Sequence, residues 1–405
     1  MTAPYFFLRP LLTRQRRWAA LDWQSADPAA TEAAALVRRF TDAHASPLAR
    51  ALPLIIPIRA ELASWEGFFE VFINEPVTFI LPATCLVEGA GVERWAEWRR
   101  RGRPLGIQVE SAKALNDAPR PVFNTVRFDA ELARREFTSR DLAQAAEGGL
   151  KRIAVRVETP ETFEWLAGSG VEWIDGRFLT RPAQKRGKEP DVSRLKLFKL
   201  LGLLKQDGDT REIEAIFREE AKLAYNLLRL VNSVAMGLRT RISNFSQAIA
   251  ILGRRQLQRW LQLLVYADNA AKGSAPSPLM QLAAARGRQM ELLAAAIEPI
   301  PDIPELGDNA FMTGLFSLLD AQLGLPMHEI LKELPLQAEV TAALADPPNG
   351  GALGALLTAV VQGETGDLAA PARQLANLGI RPATHARSQV AAYYWAARIN
   401  SEAGE

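Results

Sequence analysis

The sequence predicts two domains of different fold class, an α/β domain followed by an all-α domain. In the first half of the 405-residue chain, short strand-like runs alternate with helical ones, whereas almost everything beyond residue 193 is helical in pattern. Between the halves, residues 181–193 are polar, contain two prolines and a glycine, and show no apolar periodicity, which is typical of a linker. We therefore expect one domain over residues 1–188 and a second over residues 189–405.

Runs rich in β-branched and aromatic residues predict the strands of the first domain. They lie at 53–58, 69–73, 77–81, 104–109, 124–129, 152–158 and 171–176. Amphipathic runs between the strands predict helices at 92–102, 139–149 and 161–170. Strands separated by helices imply a largely parallel sheet, which can close into a TIM-like barrel. Because an eight-unit barrel usually takes about 200 residues or more, we expect a reduced barrel with trimmed helices or loops.

Apolar residues at spacings of three and four predict the helices of the second domain. The longest such pattern covers residues 211–234. A helix over 245–252 ends at Gly253, and a new helix restarts at Arg254. Further helices are predicted to begin near Pro278, Asn309, Pro326, Leu353 and Thr384.

Composition limits the classes of function. A chain that is 48% hydrophobic and 23% charged can bury two cores, and its formal net charge of +2 indicates no general attraction to nucleic acid or membranes. The sequence contains no run of 18 apolar residues and no signal-like N-terminus, so we expect a cytoplasmic protein without membrane contact. The single cysteine, Cys85, excludes an internal disulfide and a cysteine-based zinc site, and is predicted to be buried.

Residues 227–261, "LLRLVNSVAMGLRTRISNFSQAIAILGRRQLQRWL", resemble the core of the HDOD domain, the HD-related output domain of bacterial signalling proteins. The likeness rests on the leucine-rich helix, the pair Asn232 and Ser233, the isoleucine-serine turn, and the "AIAILG" helix before "RRQLQRWL". Residues 311–336 are similar to the continuation found in proteins that join this domain to an EAL domain. None of the three histidines is followed by aspartate, so the metal-binding pair of HD hydrolases is missing.

Residues 5–183 resemble an EAL domain, a barrel that hydrolyses cyclic di-GMP with two metal ions. The stretch "AVRVETPETFEWLAGSGVEWIDGRFLTRP" is similar to the last two strand units of that family, and "NTVRFDA" is similar to its segment with a lysine two residues before an aspartate. The resemblance implies that vestigial positions of the family's site are Glu110, Arg127, Asp129, Glu158 and Asp175.

Most metal ligands of the EAL family have no counterpart at the matching positions. Ala20 or Leu21 stands at the place of the signature glutamate, Pro57 at that of the asparagine ligand, and Gln24 at that of a phosphate-binding arginine. A phosphodiesterase with two hard cations needs several oxygen ligands around them. We therefore expect no catalysis, no bound metal and no cofactor.

The surviving residues also have structural explanations. Glu158 can cap the helix that follows it or pair with Arg156 or Arg177, and Asp129 can serve as an ion-pair or turn residue. Asn232 can tie a loop to a backbone carbonyl inside the helical domain.

We predict a catalytically inactive signalling protein that acts by protein–protein interaction. Expected partners are other signalling proteins, such as cyclic di-GMP enzymes or motility and sensory regulators. Candidate interaction residues in the HDOD-like half are Asn232, Ser233, Arg254, Arg255 and Trp260.

Two alternatives belong to other classes of function. The first is a receptor that binds cyclic di-GMP without hydrolysing it. The second is a DNA-binding regulator in which residues 243–264 form a helix, a glycine turn and a recognition helix. The wide apolar arc of that second helix and the near-neutral net charge argue against nucleic acid as a ligand.

Overall fold

The structure, a computed structural model, consists of two compact units. It describes residues 5–26, 33–59, 72, 74–86, 92–119, 122–181, 200, 202–203, 216, 227, 232, 245–264, 266, 277–334, 336–364 and 367–399. The first unit comprises residues 1–179 and 359–391, and the second comprises residues 180–358 and 392–405. This division differs from the expected one, because the segment 359–391, expected in the helical domain, belongs to the first unit.

A closed barrel of eight strands forms the centre of the first unit and confirms the predicted reduced barrel. The strands are β1 (Phe6–Leu12), β2 (Trp18–Ser25), β3 (Leu54–Pro57), β4 (Val77–Pro82), β5 (Leu105–Gln108), β6 (Thr125–Asp129), β7 (Lys151–Val155) and β8 (Trp173–Asp175). Strands β2 to β8 run parallel to one another, whereas β1 is antiparallel to both of its neighbours, β2 and β8.

A tight hairpin between β1 and β2 explains how the barrel closes in so few residues. The amide of Thr13 donates to the carbonyl of Arg17 at 2.8 Å, and Arg16 has the left-handed backbone that such a turn requires, with φ of 58°. One crossover helix is thereby omitted. Apolar side chains from five strands then form a core cluster, namely Leu11, Ala20, Ile55, Ile80, Ile153 and Val155.

The sequence pattern places four strands well and misses two. Strands β3 to β6 lie within one residue of the predicted runs, while β7 ends at Val155 instead of residue 158 because Arg156 adopts a left-handed backbone, with φ of 57°. Strands β1 and β2 were not predicted. The predicted run at 69–73 lies outside the described residues except for Phe72.

Helices surround the barrel in the first unit. They are α1 (Ala33–Asp42), α2 (Ser46–Ala51), α3 (Val92–Arg100), α4 (Ala112–Asn116), α5 (Ala130–Glu136), α6 (Ser139–Glu147) and α7 (Pro160–Gly168). The side chains of Asp129, Thr138 and Thr159 cap α5, α6 and α7 by accepting hydrogen bonds from first-turn amides. Cys85 is buried, as predicted.

The remaining described helices follow in chain order. They are α8 (Phe245–Leu264), α9 (Pro278–Ala294), α10 (Leu306–Phe316), α11 (Leu319–Leu323), α12 (Met327–Glu333), α13 (Ala338–Ala345), α14 (Gly351–Gly363), α15 (Ala369–Asn377) and α16 (Pro382–Ala397). Five helix starts, those of α9, α10, α12, α14 and α16, lie within three residues of the starts predicted near 278, 309, 326, 353 and 384. Gly253 interrupts α8 with φ of 73°, which confirms the predicted break.

Close backbone packing joins α9 and α10 in the second unit. A Cβ added to Gly314 would lie 2.7 Å from the carbonyl oxygen of Arg286, and one added to Gly287 would lie 2.9 Å from the carbonyl oxygen of Phe311. Glycine is therefore required where these two helices meet. No helix among the described residues has the length and apolar character needed to cross a membrane. The predicted linker beyond residue 181 and the predicted helix over 211–234 lie outside the described residues, apart from single positions.

Candidate functional site

Polar and charged side chains gather where the parallel strands of the barrel end. In barrels built from parallel strands, this carboxyl end is the place where functional sites form. Because β1 runs in the opposite direction, its early residues also lie at this end, and Arg9 is the cross-strand partner of Asp22. We call the following set the barrel mouth: Arg9, Asp22, Gln24, Gln108, Arg127, Asp129, Arg156, Glu158, Asp175 and Arg177.

A buried ion pair occupies the centre of the barrel mouth. Nη2 of Arg127 lies 2.9 Å from Oδ2 of Asp22, and the two residues are only 8% and 2% exposed. Nη1 of Arg127 donates to Oε1 of Gln108 at 2.6 Å, and Nε2 of Gln24 donates to the same Asp22 oxygen at 2.6 Å. The Asp22 carboxylate is thus held by a guanidinium and an amide, which are the groups that make its burial tolerable.

Arg9 extends this hydrogen-bond network to the segment 359–391. Its Nη1 donates to Oε1 of Gln24 at 3.2 Å, while its Nε and Nη2 both donate to the carbonyl oxygen of Gly363 at 3.4 Å. Arg9 is 2% exposed. Its guanidinium donors are therefore bonded inside the unit and are not presented to solvent.

Asp175, at the end of β8, is held by two backbone amides and by the guanidinium of Arg177. Its Oδ2 accepts from the amide of Arg156 at 2.9 Å, and its Oδ1 accepts from the amide of Arg177 at 2.9 Å. Nε of Arg177 lies 3.0 Å from Oδ2. Burial raises the pKa of Asp175 above its usual value, although the charges of Arg177 and Arg9 and the two amide bonds act in the opposite direction.

Asp129, at the end of β6, has a structural role on both of its oxygens. Oδ1 accepts from the amides of Glu131 and Leu132 at 2.9 and 3.0 Å and so caps α5, while Oδ2 accepts from the guanidinium of Arg156. Partial burial acts to raise the pKa of Asp129, but the hydrogen bonds from Arg156 and from the two amides outweigh it, so the pKa lies below its usual value.

Glu158 and Glu110, the other two acids predicted at this site, are more exposed. Oε1 of Glu158 lies 3.8 Å from Nη1 of Arg177, which is one of the two pairings expected for it, and Glu110 is exposed just beyond β5. The structure therefore brings Arg127, Asp129, Glu158 and Asp175 together at the barrel mouth. Within the described residues, no group of three or more histidine, cysteine, aspartate or glutamate side chains is arranged to hold a metal ion.

Sequence reasoning missed Arg9 on β1 and Asp22 on β2, although it named the third mouth residue of these strands, Gln24. A signal for Asp22 was present, since Ala20, Asp22 and Gln24 alternate along one face of β2. For Arg9 the only signal was a charged residue inside the apolar run of residues 6–12.

The candidate interaction residues of the helical half are only partly described. Trp260 is 2% exposed, and its ring centroid lies 5.9 Å from that of Trp395, so it belongs to the core and does not form the surface contact we expected. Asn232 is half-buried, and Ser233 lies outside the described residues. Arg254 and Arg255 lie on α8, just after its break, and their side chains are not among the described parts of the structure.

The second half of α8 is buried on a wide arc, as its apolar pattern indicated. The buried residues are Leu257, Trp260, Leu261, Leu263 and Leu264. Arg259, one of the donors in the DNA-binding alternative, pairs with Asp308 at 2.5 Å and with Glu291, and its guanidinium also lies over the ring of Phe311. The guanidinium of Arg259 is therefore already paired with carboxylates of the second unit.

Comparison with known proteins identifies relatives of parts of the chain. Residues 195–321 match the HDOD domain family. The chain is 28% identical over 204 residues to the uncharacterized protein YuxH of Bacillus subtilis, a match that covers 50% of this chain and 48% of that protein. It is 30% identical over 216 residues to the cyclic di-GMP phosphodiesterase CdgJ of Vibrio cholerae, covering 52% of this chain and 48% of that protein. The chain thus spans about half the length of the curated relatives it matches.

Solved structures of EAL domains also align with part of the chain. The EAL-like domain protein YdiV is 12% identical, with a TM-score of 0.36 and coverage of 43% of this chain and 90% of that one. The EAL domain of Mycobacterium smegmatis DcpA is 17% identical, with a TM-score of 0.34 and coverage of 43% and 88%.

Proposed function

We propose that this chain, which carries an HDOD domain at residues 195–321 as its sequence predicts, is a signalling protein that binds other proteins and does not hydrolyse cyclic di-GMP. The link to cyclic di-GMP comes from its similarity to CdgJ, whose name states a phosphodiesterase activity. That similarity extends over about half of each chain, so the activity of CdgJ is not transferred with it.

One observation carries the proposal: arginine side chains hold the acids of the barrel mouth. Asp22 pairs with Arg127, Asp129 pairs with Arg156, and Asp175 lies against Arg177. A two-cation site needs carboxylate oxygens that can turn to the metals. Here each cation would have to displace a guanidinium, and breaking a buried ion pair such as Asp22–Arg127 typically costs about 3–5 kcal/mol.

The alternative of a cyclic di-GMP receptor is favoured by a different feature of the same site. Four arginines lie at the barrel mouth, and arginine is well suited to phosphate recognition. They are Arg9, Arg127, Arg156 and Arg177. Of these, Arg156 is the most exposed, with 59% of its side chain in contact with solvent. A receptor would use these arginines to bind the phosphates without metal-assisted cleavage.

A single titration separates the proposal from a cyclic di-GMP receptor and from an active phosphodiesterase. The full chain is titrated with cyclic di-GMP by calorimetry, first with Mg²⁺ and then with Mn²⁺, and the mixture is analysed by chromatography for linear product. We expect neither heat nor product. Heat without product would support the receptor alternative, and linear product would refute the proposal if Asp129→Asn or Asp175→Asn abolished it.

The protein-binding part of the proposal needs a measurement of its own. Purified cyclic di-GMP enzymes and motility regulators from the host are titrated with the full chain, and the chain with its HDOD residues 195–321 deleted serves as a comparison. We expect saturable binding of at least one regulator by the full chain. If none binds, while salt-dependent binding to random duplex DNA appears, the DNA-binding alternative replaces the proposal.

A further inference from the structure

Strand β1 extends past β8 at the barrel mouth, and the segment 359–391 packs against this extension. β1 pairs with β8 only at Leu11 and Leu12, so residues 5–9 extend past the last residue of β8. On this edge, the amide of Leu8 donates to Oε1 of Gln389 at 3.1 Å, and the hydroxyl of Tyr5 donates to the carbonyl of Ile380 at 2.5 Å. One backbone amide of this edge and one side-chain hydroxyl beside it are therefore bonded to a distant part of the same chain.

The contact between the segment and β1 is too close for most side chains. A Cβ added to Gly363 would lie 2.5 and 2.7 Å from two ring carbons of Phe7, so only glycine fits at the end of α14. The ring of His385 lies 5.0 Å from that of Phe7 and 5.7 Å from that of Tyr5, measured between centroids. His385 and Gln389 are both buried.

We propose that residues 359–391 act as a built-in cover over the β1 side of the barrel mouth, and that Arg9 and the Asp22–Arg127 pair become accessible to ligands only when this segment leaves β1. We call this segment the cover segment. The proposal does not depend on the proposed function, because a cover could close a catalytic mouth as well as an inactive one. Its occupant is a part of the chain itself, already packed against β1.

A continuous set of hydrogen bonds connects the cover segment to the middle of the barrel. It runs from the Gly363 carbonyl through Arg9 and Gln24 to Asp22, and from there through Arg127 to Gln108 on β5. Departure of the cover segment removes the acceptor of two Arg9 donors. Water and small reagents then reach a guanidinium that is 2% exposed in the closed state, and behind it the Asp22–Arg127 pair.

The test is chemical modification of arginines by phenylglyoxal, read out residue by residue with mass spectrometry. The chain provides two internal controls. Arg135 is exposed, with 72% of its side chain in solvent. Arg152 is buried away from the mouth, where it is bonded to Glu172 and to the carbonyl of Leu142. Arg135 should react in every sample. Arg152 should react only if the whole barrel unfolds.

Two variants displace the cover segment, and each has a matched control. Gly363→Ala places a methyl group against the Phe7 ring, while Gly168→Ala changes the last residue of α7, where a Cβ would meet nothing within 4 Å. Gln389→Ala removes the acceptor of the Leu8 amide, while Arg387→Ala changes an exposed residue of the same helix. Amide hydrogen exchange of residues 5–9 and 380–391 reports whether the segment has left β1.

In the wild-type chain we expect Arg9 and Arg127 to be protected. In Gly363→Ala and Gln389→Ala, amide exchange of both segments and modification of Arg9 and Arg127 should rise by about tenfold or more, with Arg152 still protected. Protection of Arg9 and Arg127 in a variant whose cover segment has left β1 would overturn the proposal. So would reactive Arg9 in the wild type, simultaneous exposure of Arg152, or variants that leave exchange in both segments unchanged.

Discussion

Acidification should destabilise the first unit through one buried histidine, His385 of the cover segment. The side chain is fully buried between Tyr5 and Phe7, and this burial lowers its pKa from 6.5 to about 3. Burial also raises the pKa of Tyr5 above 10, so the neighbouring phenol remains neutral over the same range. His385 is therefore neutral in the folded unit at pH 5.5, whereas in the unfolded chain most of it is protonated.

The sign and size of the effect follow from proton linkage. Between pH 6.5 and about 3 the unfolded chain binds more protons at His385 than the folded chain does, so the free energy of unfolding falls as the pH falls. The contribution is complete above pH 6.5 and decreases by about 1.4 kcal/mol for each pH unit below it. Between pH 7.5 and 5.5 this one residue should therefore cost about 1.4 kcal/mol.

Urea unfolding of the wild type and of His385→Phe measures this cost directly. The unfolding of the first unit is followed by hydrogen exchange of β1, at pH 7.5 and at pH 5.5. Phenylalanine retains an aromatic ring but cannot be protonated, and carboxylates elsewhere contribute equally to both proteins. The stability difference between the two proteins should shift by about 1.4 kcal/mol in favour of the variant at the lower pH. An unchanged difference would refute the reasoning that burial holds His385 neutral.

Three further predictions concern packing, pairing and capping. Replacing Arg127 with alanine should lower the free energy of unfolding by about 3–5 kcal/mol because it leaves Asp22 buried without its guanidinium. Thermal unfolding of Arg127→Ala and of the double variant Asp22→Leu with Arg127→Leu checks this, since the double variant should lose less stability. Gly314→Ala should cost about 1–3 kcal/mol because its Cβ would meet the backbone of α9, whereas Gly307→Ala, with its nearest neighbour at 3.8 Å, should change the melting temperature little. Thr138→Ala should cost about 1 kcal/mol by removing the capping box of α6, measured by urea unfolding.

Each of these predictions has an outcome that contradicts its physical reason. A double variant that loses as much stability as Arg127→Ala would mean that the unpaired Asp22 charge is not the cause. Equal effects in the two glycine variants would show that close packing does not set a cost at Gly314, because helix propensity alone favours alanine at both positions. An unchanged urea midpoint in Thr138→Ala would mean that solvent replaces the cap without loss.

The local sequence pattern predicts strands whose residues are mainly apolar. It does not predict strands whose burial depends on partners distant in sequence. β3 to β6 are short apolar runs with one face in the barrel interior and the other toward the surrounding helices, so their sequences alone indicate strands. All seven residues of β1 are buried, including Arg9, whose donors are bonded to Gln24 and to Gly363, 354 residues away. No periodicity in residues 6–12 contains that information.

The same limit applies to the cover segment and to the candidate site. Gln389 and His385 are polar residues on the buried side of α16, and the sequence of this helix does not indicate that they pack against β1. Differences from the EAL pattern could be identified one residue at a time. The Asp22–Arg127 pair could not, because it joins residues 105 apart in sequence and exists only when the barrel is closed.

The Asp22–Arg127 pair is not explained by stability alone. Apolar residues of similar volume can replace a buried ion pair without loss of stability, and sometimes with a gain. Unlike an apolar pair, however, the charged pair fixes directions: Arg127 holds the amide of Gln108, and Asp22 orients Gln24 so that its oxygen faces Arg9. Arg9 in turn holds the carbonyl at the end of α14. The charges at the barrel mouth therefore link its interior to the segment that covers it, which is a role that an apolar core could not perform.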